Sequence, residues 1–210
     1  MCCRYYMMKC PELDYIVEKM NKSPLCKRFT EGISKQITTN GDVFPTNVVP
    51  VIASSRSKEK TVFPMAWGFK SKETGSLLIN CRVESAASKQ TWKESWANHR
   101  CIIPASWYFE WEHLSSENNN KRKGQKYMLR PKGNGIVNLA GVYRIEEISS
   151  LQIPVFAIIT REASPVIREI HDRMPLILPE SAADEWIMPD NDPERIIKQA
   201  VVDIEYQMAL

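Results

Sequence analysis

No stretch of this chain approaches the roughly 20 consecutive apolar residues that a membrane-spanning helix needs. The opening residues, Met1-Cys2-Cys3-Arg4-Tyr5-Tyr6, lack the organisation of a signal peptide. A soluble cytoplasmic protein without a membrane partner is therefore expected. No Cys-x-x-Cys pair occurs, and His99, His113 and His171 stand at no ligand-like spacing. A zinc site is not expected, nor is any other metal or cofactor. Charge of one sign is also scarce. Twenty-eight Lys and Arg against 25 Asp and Glu leave a formal charge of +3, too little to prove or exclude a nucleic-acid partner. There is no internal repeat and no long linker. With 210 residues, 43% of them hydrophobic, a single domain over residues 1–210 with a substantial core is expected, as a monomer.

Six cysteines, at 2, 3, 10, 26, 81 and 101, read as reduced thiols, most of them acting as small hydrophobes. A helix is predicted over residues 11–21. Pro11 suits its first turn, and Leu13, Ile16, Val17 and Met20 fall on one face. Strands are predicted at 48–53, 62–69, 77–81, 100–103, 108–112, 127–130, 137–144 and 155–160. The last is apolar throughout and should be buried on both faces. Helices are predicted again at 166–170, 179–187 and 192–202. The polar segment 115–125, with Lys121-Arg122-Lys123, reads as an exposed loop. Strands in the middle and helices at both ends, without regular βαβ alternation, indicate an α+β fold with a largely antiparallel sheet.

Chemistry is suggested first at Cys2. Methionine aminopeptidase removes Met1 when a small residue follows, leaving an amine and a thiol on one residue. Their reference pKa values, about 7.7–8.0 and about 8.5, put both within reach of nucleophilic form. A 1,2-aminothiol can trap an aldehyde as a Schiff base and then close to a thiazolidine. Four further segments carry candidates. Asn80-Cys81-Arg82-Val83-Glu84, if extended, places Asn80, Arg82 and Glu84 on one face. Residues 101–111 embed Glu110 among aromatics, where a carboxylate should have a raised pKa. Ile170-His171-Asp172-Arg173-Met174-Pro175 sets a histidine just after a short helix. Ala66-Trp67-Gly68 puts a tryptophan beside a glycine. Each has a structural alternative: a strand-end network, an edge acid, a helix-end histidine, a core tryptophan.

Together these segments resemble the SRAP family, named for SOS-response-associated peptidase. The shared features are the Met-Cys-x-Arg start, the Trp-Gly segment, Asn80 to Glu84, Arg100 to Trp111 and Ile170 to Pro175. Phe44-Pro45-Thr46-Asn47 with Pro50-Val51-Ile52 resembles the family's proline-bearing strand. The motifs keep the family's order over most of the chain.

The resemblance implies one α+β domain with a β-rich, barrel-like core and flanking helices. It implies recognition of abasic sites in single-stranded DNA and a covalent thiazolidine link through the mature Cys2. It also implies removal of the chain's own N-terminal peptide. By the same resemblance Asn80 would position Cys2, Glu110 would shuttle protons, and His171 would act as acid and base at the sugar oxygen. Arg4, Arg82 and Arg173 would hold phosphates. Trp67 and Trp111 would stack on bases or wall the site, with core packing as the alternative for each. Cys3 stands where the family has glycine, and Cys81 where alanine is common. Two other readings remain: a cysteine peptidase with an N-terminal nucleophile, and a non-covalent single-strand-binding module.

Overall fold

The computed structural model describes residues 2–112, 124–133 and 135–209. His113 and most of the predicted 115–125 loop, Lys121-Arg122-Lys123 included, lie outside them. In chain order the strands are β1 (Tyr5–Met7), β2 (Gly41–Val43), β3 (Val48–Ser54), β4 (Lys60–Trp67), β5 (Phe69–Lys70), β6 (Leu77–Leu78), β7 (Asn80–Arg82), β8 (Arg100–Ala105), β9 (Trp107–Trp111), β10 (Lys126–Pro131), β11 (Val137–Ile148), β12 (Leu151–Glu162), β13 (Arg173–Pro175), β14 (Ile177–Leu178) and β15 (Ile204–Met208). The helices are α1 (Pro11–Asn21), α2 (Leu25–Lys27), α3 (Val83–Ala86), α4 (Lys93–Asn98), α5 (Pro165–Arg168), α6 (Glu180–Trp186) and α7 (Pro193–Ile196). No helix among the described residues is long and apolar enough to cross a membrane.

Five strands close into a barrel. β4, β3, β8, β11 and β12 pair in that order, and β12 pairs back onto β4. The β12–β4 closure is parallel and the other four pairings are antiparallel. Period-2 alternation explains why both faces of these strands are apolar. On β12, Phe156 and Ile158 join one core, while Val155, Ala157 and Ile159 join a second. On β3, Val49, Val51 and Ala53 face the first, and Val48 and Ile52 the second. The first core continues beneath a second sheet, ordered β15-β10-β9-β1-β2, and includes Cys2, Tyr5 and Tyr108. The second packs against Trp92, Trp96 and Trp186 of the α4 and α6 regions. The α+β class and largely antiparallel sheet are as the residues indicate, and the barrel is as the family resemblance implies.

Two local devices position the site. At Ser106 the chain leaves the barrel strand β8 and enters β9 of the second sheet. Ser106 N donates to Tyr6 O (2.8 Å), and Met8 N donates to Ser106 Oγ (2.8 Å). This fixes Glu110 beside the N-terminal strand. The second device is the C-terminal half of β12, flanked by parallel β7 and antiparallel β13. It brings Asn80, Arg82 and Arg173 together from distant parts of the sequence.

Several predicted elements need correction. The 62–69 strand is broken at Gly68, whose φ is +118° and where a Cβ would lie 2.5 Å from Leu77. The 77–81 strand divides into β6 and β7. The 192–202 helix is only α7 plus a tight turn at Ile197–Gln199, because the chain extends again at Ala200. Glu84 does not continue the alternation of Asn80 and Arg82, because α3 starts at Val83.

Candidate functional site

Cys2 is fully buried in the first core. Its backbone oxygen accepts a hydrogen bond from Asn80 Nδ2 at 2.9 Å. Its thiol donates to Arg4 O at 3.8 Å. Burial drives the Cys2 thiol well above its ordinary pKa, and the charge of Glu110 adds to this. A buried thiolate beside a carboxylate loses its water and faces a like charge.

Glu110 is 2% exposed. It lies on β9, opposite Tyr127 of β10. Burial raises its carboxyl to about 7, offset in part by the charge of the chain's amino terminus. This agrees with the raised value expected from its aromatic setting. A carboxyl half-ionised near neutrality can both give and take a proton.

His171 is 5% exposed and follows α5, its N–H donating to Ile167 O at 2.9 Å. Its Nδ1 accepts from Arg173 N at 2.9 Å. That bond requires an unprotonated Nδ1, which places the neutral ring's proton on Nε2. Asp172 Oδ1 lies 2.8 Å from the same Nδ1.

The three arginines differ. Arg4 donates to both carboxylate oxygens of Asp42, at 2.8 and 2.6 Å, and its guanidinium lies over the rings of Phe44 and Phe109. Arg173 forks onto Glu84 at 2.7 and 2.9 Å and also donates to Thr160 O at 2.8 Å. The ion pair holds the Glu84 carboxyl below its usual range. Arg82 is exposed on β7. Two of the three arginines thus have a carboxylate in the fork that a phosphate would use.

Trp67 and Trp111 also part ways. Trp67 has no exposed surface, donates from Nε1 to Ile79 O at 2.9 Å, and packs between Tyr5 and Phe156. A ring so enclosed offers no face to a base. Of the alternatives, the structure places Trp67 in the core, where it backs the strand before Asn80. Trp111 ends β9 half-buried. Cys3 is half-buried, and its thiol is raised by burial and then by Glu110. Its φ is not positive, so the chain here does not need glycine's left-handed freedom. Among the described residues no three His, Cys, Asp or Glu side chains gather as a metal site would require.

β1 and β9 therefore set Cys2 against Glu110, while β7 and β13 bring Asn80 and His171–Arg173 to the flank of β12. The family model described as SOS response associated peptidase matches residues 1–209. The chain belongs to the SRAP family. Among curated relatives, the abasic site processing protein YobE of Bacillus subtilis is 28% identical, over 87% of this chain and 81% of its own. The abasic site processing protein YedK of Escherichia coli is 31% identical, over 67% of this chain and 63% of its own. Among solved structures, a protein from Bacteroides thetaiotaomicron superposes with a TM-score of 0.74 at 21% identity, over 100% of this chain and 92% of its own. That likeness concerns the fold alone.

The sequence reading missed Asp42 and Thr160, and set Glu84 on the face of Asn80 and Arg82, whereas it lies in α3 and pairs with Arg173. Asp42 is 38 residues from Arg4 and meets it only through β1–β2 pairing. No local spacing signals such a partner.

Proposed function

We propose that this SRAP chain processes abasic sites in single-stranded DNA through a covalent bond to Cys2, exposed as the mature N-terminus once Met1 is removed. The observation that carries the reading is Cys2 tethered by Asn80 at 2.9 Å beside a carboxyl raised to about 7. The names of the relatives, abasic site processing proteins, agree with it.

The chemistry balances as follows. The Cys2 amine adds to the aldehyde carbon of the ring-opened sugar. The carbinolamine loses water, to which a nearby acid supplies a proton, and an imine forms. The Cys2 thiolate then adds to the same carbon, and the imine nitrogen takes a proton. The product is a thiazolidine with net loss of one water. Glu110 donates and recovers the protons, because its two forms are near equal in population at neutral pH. His171 serves the sugar oxygen in ring opening. Arg82 offers an exposed cation to phosphate, with Arg4 and Arg173 joining when their carboxylates are exchanged. Trp111 stacks on or walls the DNA. The protein acts in the cytoplasm, on the nucleoid when bound, as a monomer. Removal of its own N-terminal peptide is the peptidase activity proposed for it.

The test mixes protein of verified N-terminal mass with single-stranded DNA carrying one abasic site, followed by a denaturing gel. A shifted band is expected for the chain lacking Met1 and none for Cys2→Ala. Equal bands, or no band with Met1 removed, overturn the reading. Peptide turnover in trans without preference for abasic DNA would point to a peptidase instead. Affinity that survives Cys2→Ala and is fully reversed by salt would point to a non-covalent binding module.

A further inference from the structure

Two hydroxyls in the first core have no role in the chemistry above. Tyr5 and Tyr108 are directly cross-strand on β1 and β9, and neither has exposed surface. Both belong to the core cluster that holds Cys2. Neither phenolic oxygen has a hydrogen-bond partner. A buried hydroxyl left unpaired is costly, and phenylalanine would fill the same volume without that cost. Two such groups, cross-strand in the core that also holds Cys2, need a reason.

The needs of the thiol supply one. Of the hydrogen bonds at Cys2, only the one with the Arg4 backbone favours its charged form, and burial outweighs it. The Asn80 amide donates to the Cys2 backbone oxygen rather than to the sulfur, and the thiol proton is spent on Arg4 O. Of the charged groups acting on Cys2, Glu110 and Cys3 oppose ionisation, and the amino terminus favours it. Tyr5 and Tyr108 each feel the charge of Cys2. Tyr5 also feels Cys101, and Tyr108 also feels Glu110. Burial raises both phenols well above their ordinary range, so each keeps its proton through neutral pH and stays a donor.

We propose that Tyr5 and Tyr108 are positioning residues whose unpartnered hydroxyls turn onto the Cys2 sulfur when it ionises, replacing the water that burial has removed. The proposal rests on the reading of Cys2 as a nucleophile. A hydrogen bond to a charged sulfur is stronger than one between neutral groups. The pair therefore costs stability in the thiol state and returns it in the thiolate state, when the thiol attacks.

The experiment needs no DNA, so its failure is distinct from failure of the abasic-site reading. Tyr5→Phe, Tyr108→Phe and the double variant are alkylated with iodoacetamide across pH 6 to 10. Modification of Cys2, as opposed to Cys3, is followed by tandem mass spectrometry of the N-terminal peptide. Thermal melting is recorded in parallel. The expected result is a melting temperature equal to or above the parent's, with the Cys2 pH–rate profile moved upward. The rate at pH 8 should fall about tenfold in the double variant. An unchanged or lowered profile in a folded double variant overturns the proposal and leaves the hydroxyls as a purely structural cost. If one single variant unfolds, the other still decides for its own residue.

Discussion

Asn80 holds Cys2 by its backbone and not by its thiol: Nδ2 donates to the Cys2 carbonyl oxygen at 2.9 Å. The amide thus fixes the position of the residue without engaging its sulfur. Asn80 is itself fixed, since it sits opposite Ile158 on the parallel β7–β12 pairing. The structural and chemical parts of the site share one residue.

Removing that tether should separate binding from bonding. Asn80→Ala is expected to cost about 1 kcal/mol of stability, the net worth of one hydrogen bond. It should slow cross-linking to abasic DNA by about tenfold or more, because the reacting atoms lose their fixed geometry. Asn80→Asp should be slower still, since a carboxylate then faces the Cys2 carbonyl oxygen where a donor is required. Initial rates on denaturing gels, with urea melts for stability, check both. A rate in Asn80→Asp equal to the parent's would remove the tether from the mechanism.

Glu110 gives the site an unusual dependence on pH. Its carboxyl stands at about 7 in the folded chain against 4.5 for the free group. Between these values the native state binds more protons than the unfolded state. Stability from this group is full below about 4.5 and is lost as pH rises through 7. The difference corresponds to about 3 kcal/mol. Glu110→Gln, which is always neutral, should therefore melt above the parent at pH 8 and level with it at about pH 4. The same variant should lose most cross-linking at pH 7. A gain in melting temperature that does not shrink on acidification would contradict the assignment.

How much of this was legible in the sequence depends on the distance over which each feature is determined. α1 is local: Pro11 fixes the first turn and the apolar spacing fixes the face, so 11–21 was readable. The core of β12 was readable because its burial on both sides leaves no polar position from 155 to 159. β1 was not, since three residues give too short an alternation. β15 was not, since only Ile204 of its five residues is buried. The raised carboxyl of Glu110 was legible from its aromatic surroundings. The partners Asp42 and Thr160 were not, because β1–β2 and β12–β13 pairing creates those contacts. The Trp67 alternatives could not be separated without knowing that Phe156 and Tyr5 enclose the ring.

Trp67 now has a stability role that can be measured. Trp67→Ala should cost about 3–5 kcal/mol, as for other large-to-small core changes. Trp67→Phe should cost less, although it loses the bond to Ile79 O. Because the ring has no exposed face, Trp67→Phe should leave affinity for undamaged single-stranded DNA within about twofold of the parent. Chemical denaturation and fluorescence anisotropy are the measurements. A drop of tenfold or more in affinity, with the fold retained, would return Trp67 to the DNA-binding surface.

Arg4 and Asp42 make the opposite kind of prediction, a gain. Their fork is filled at 2.8 and 2.6 Å, and both side chains are partly exposed, at 24% and 32%. A phosphate entering this fork must displace a carboxylate, and a partly exposed pair of this kind is weak enough to exchange. Asp42→Asn removes the competing charge while keeping the shape. Single-stranded DNA should then bind more tightly at low salt, and the slope of log affinity against log salt should steepen by about 0.7, the value for one more phosphate contact. Arg4→Lys, which cannot fork, should weaken binding in either background. If Asp42→Asn leaves both the affinity and the slope unchanged, Arg4 is a purely structural ion pair clamped by Phe44 and Phe109, and the phosphate contacts lie elsewhere on the β7 side of the site.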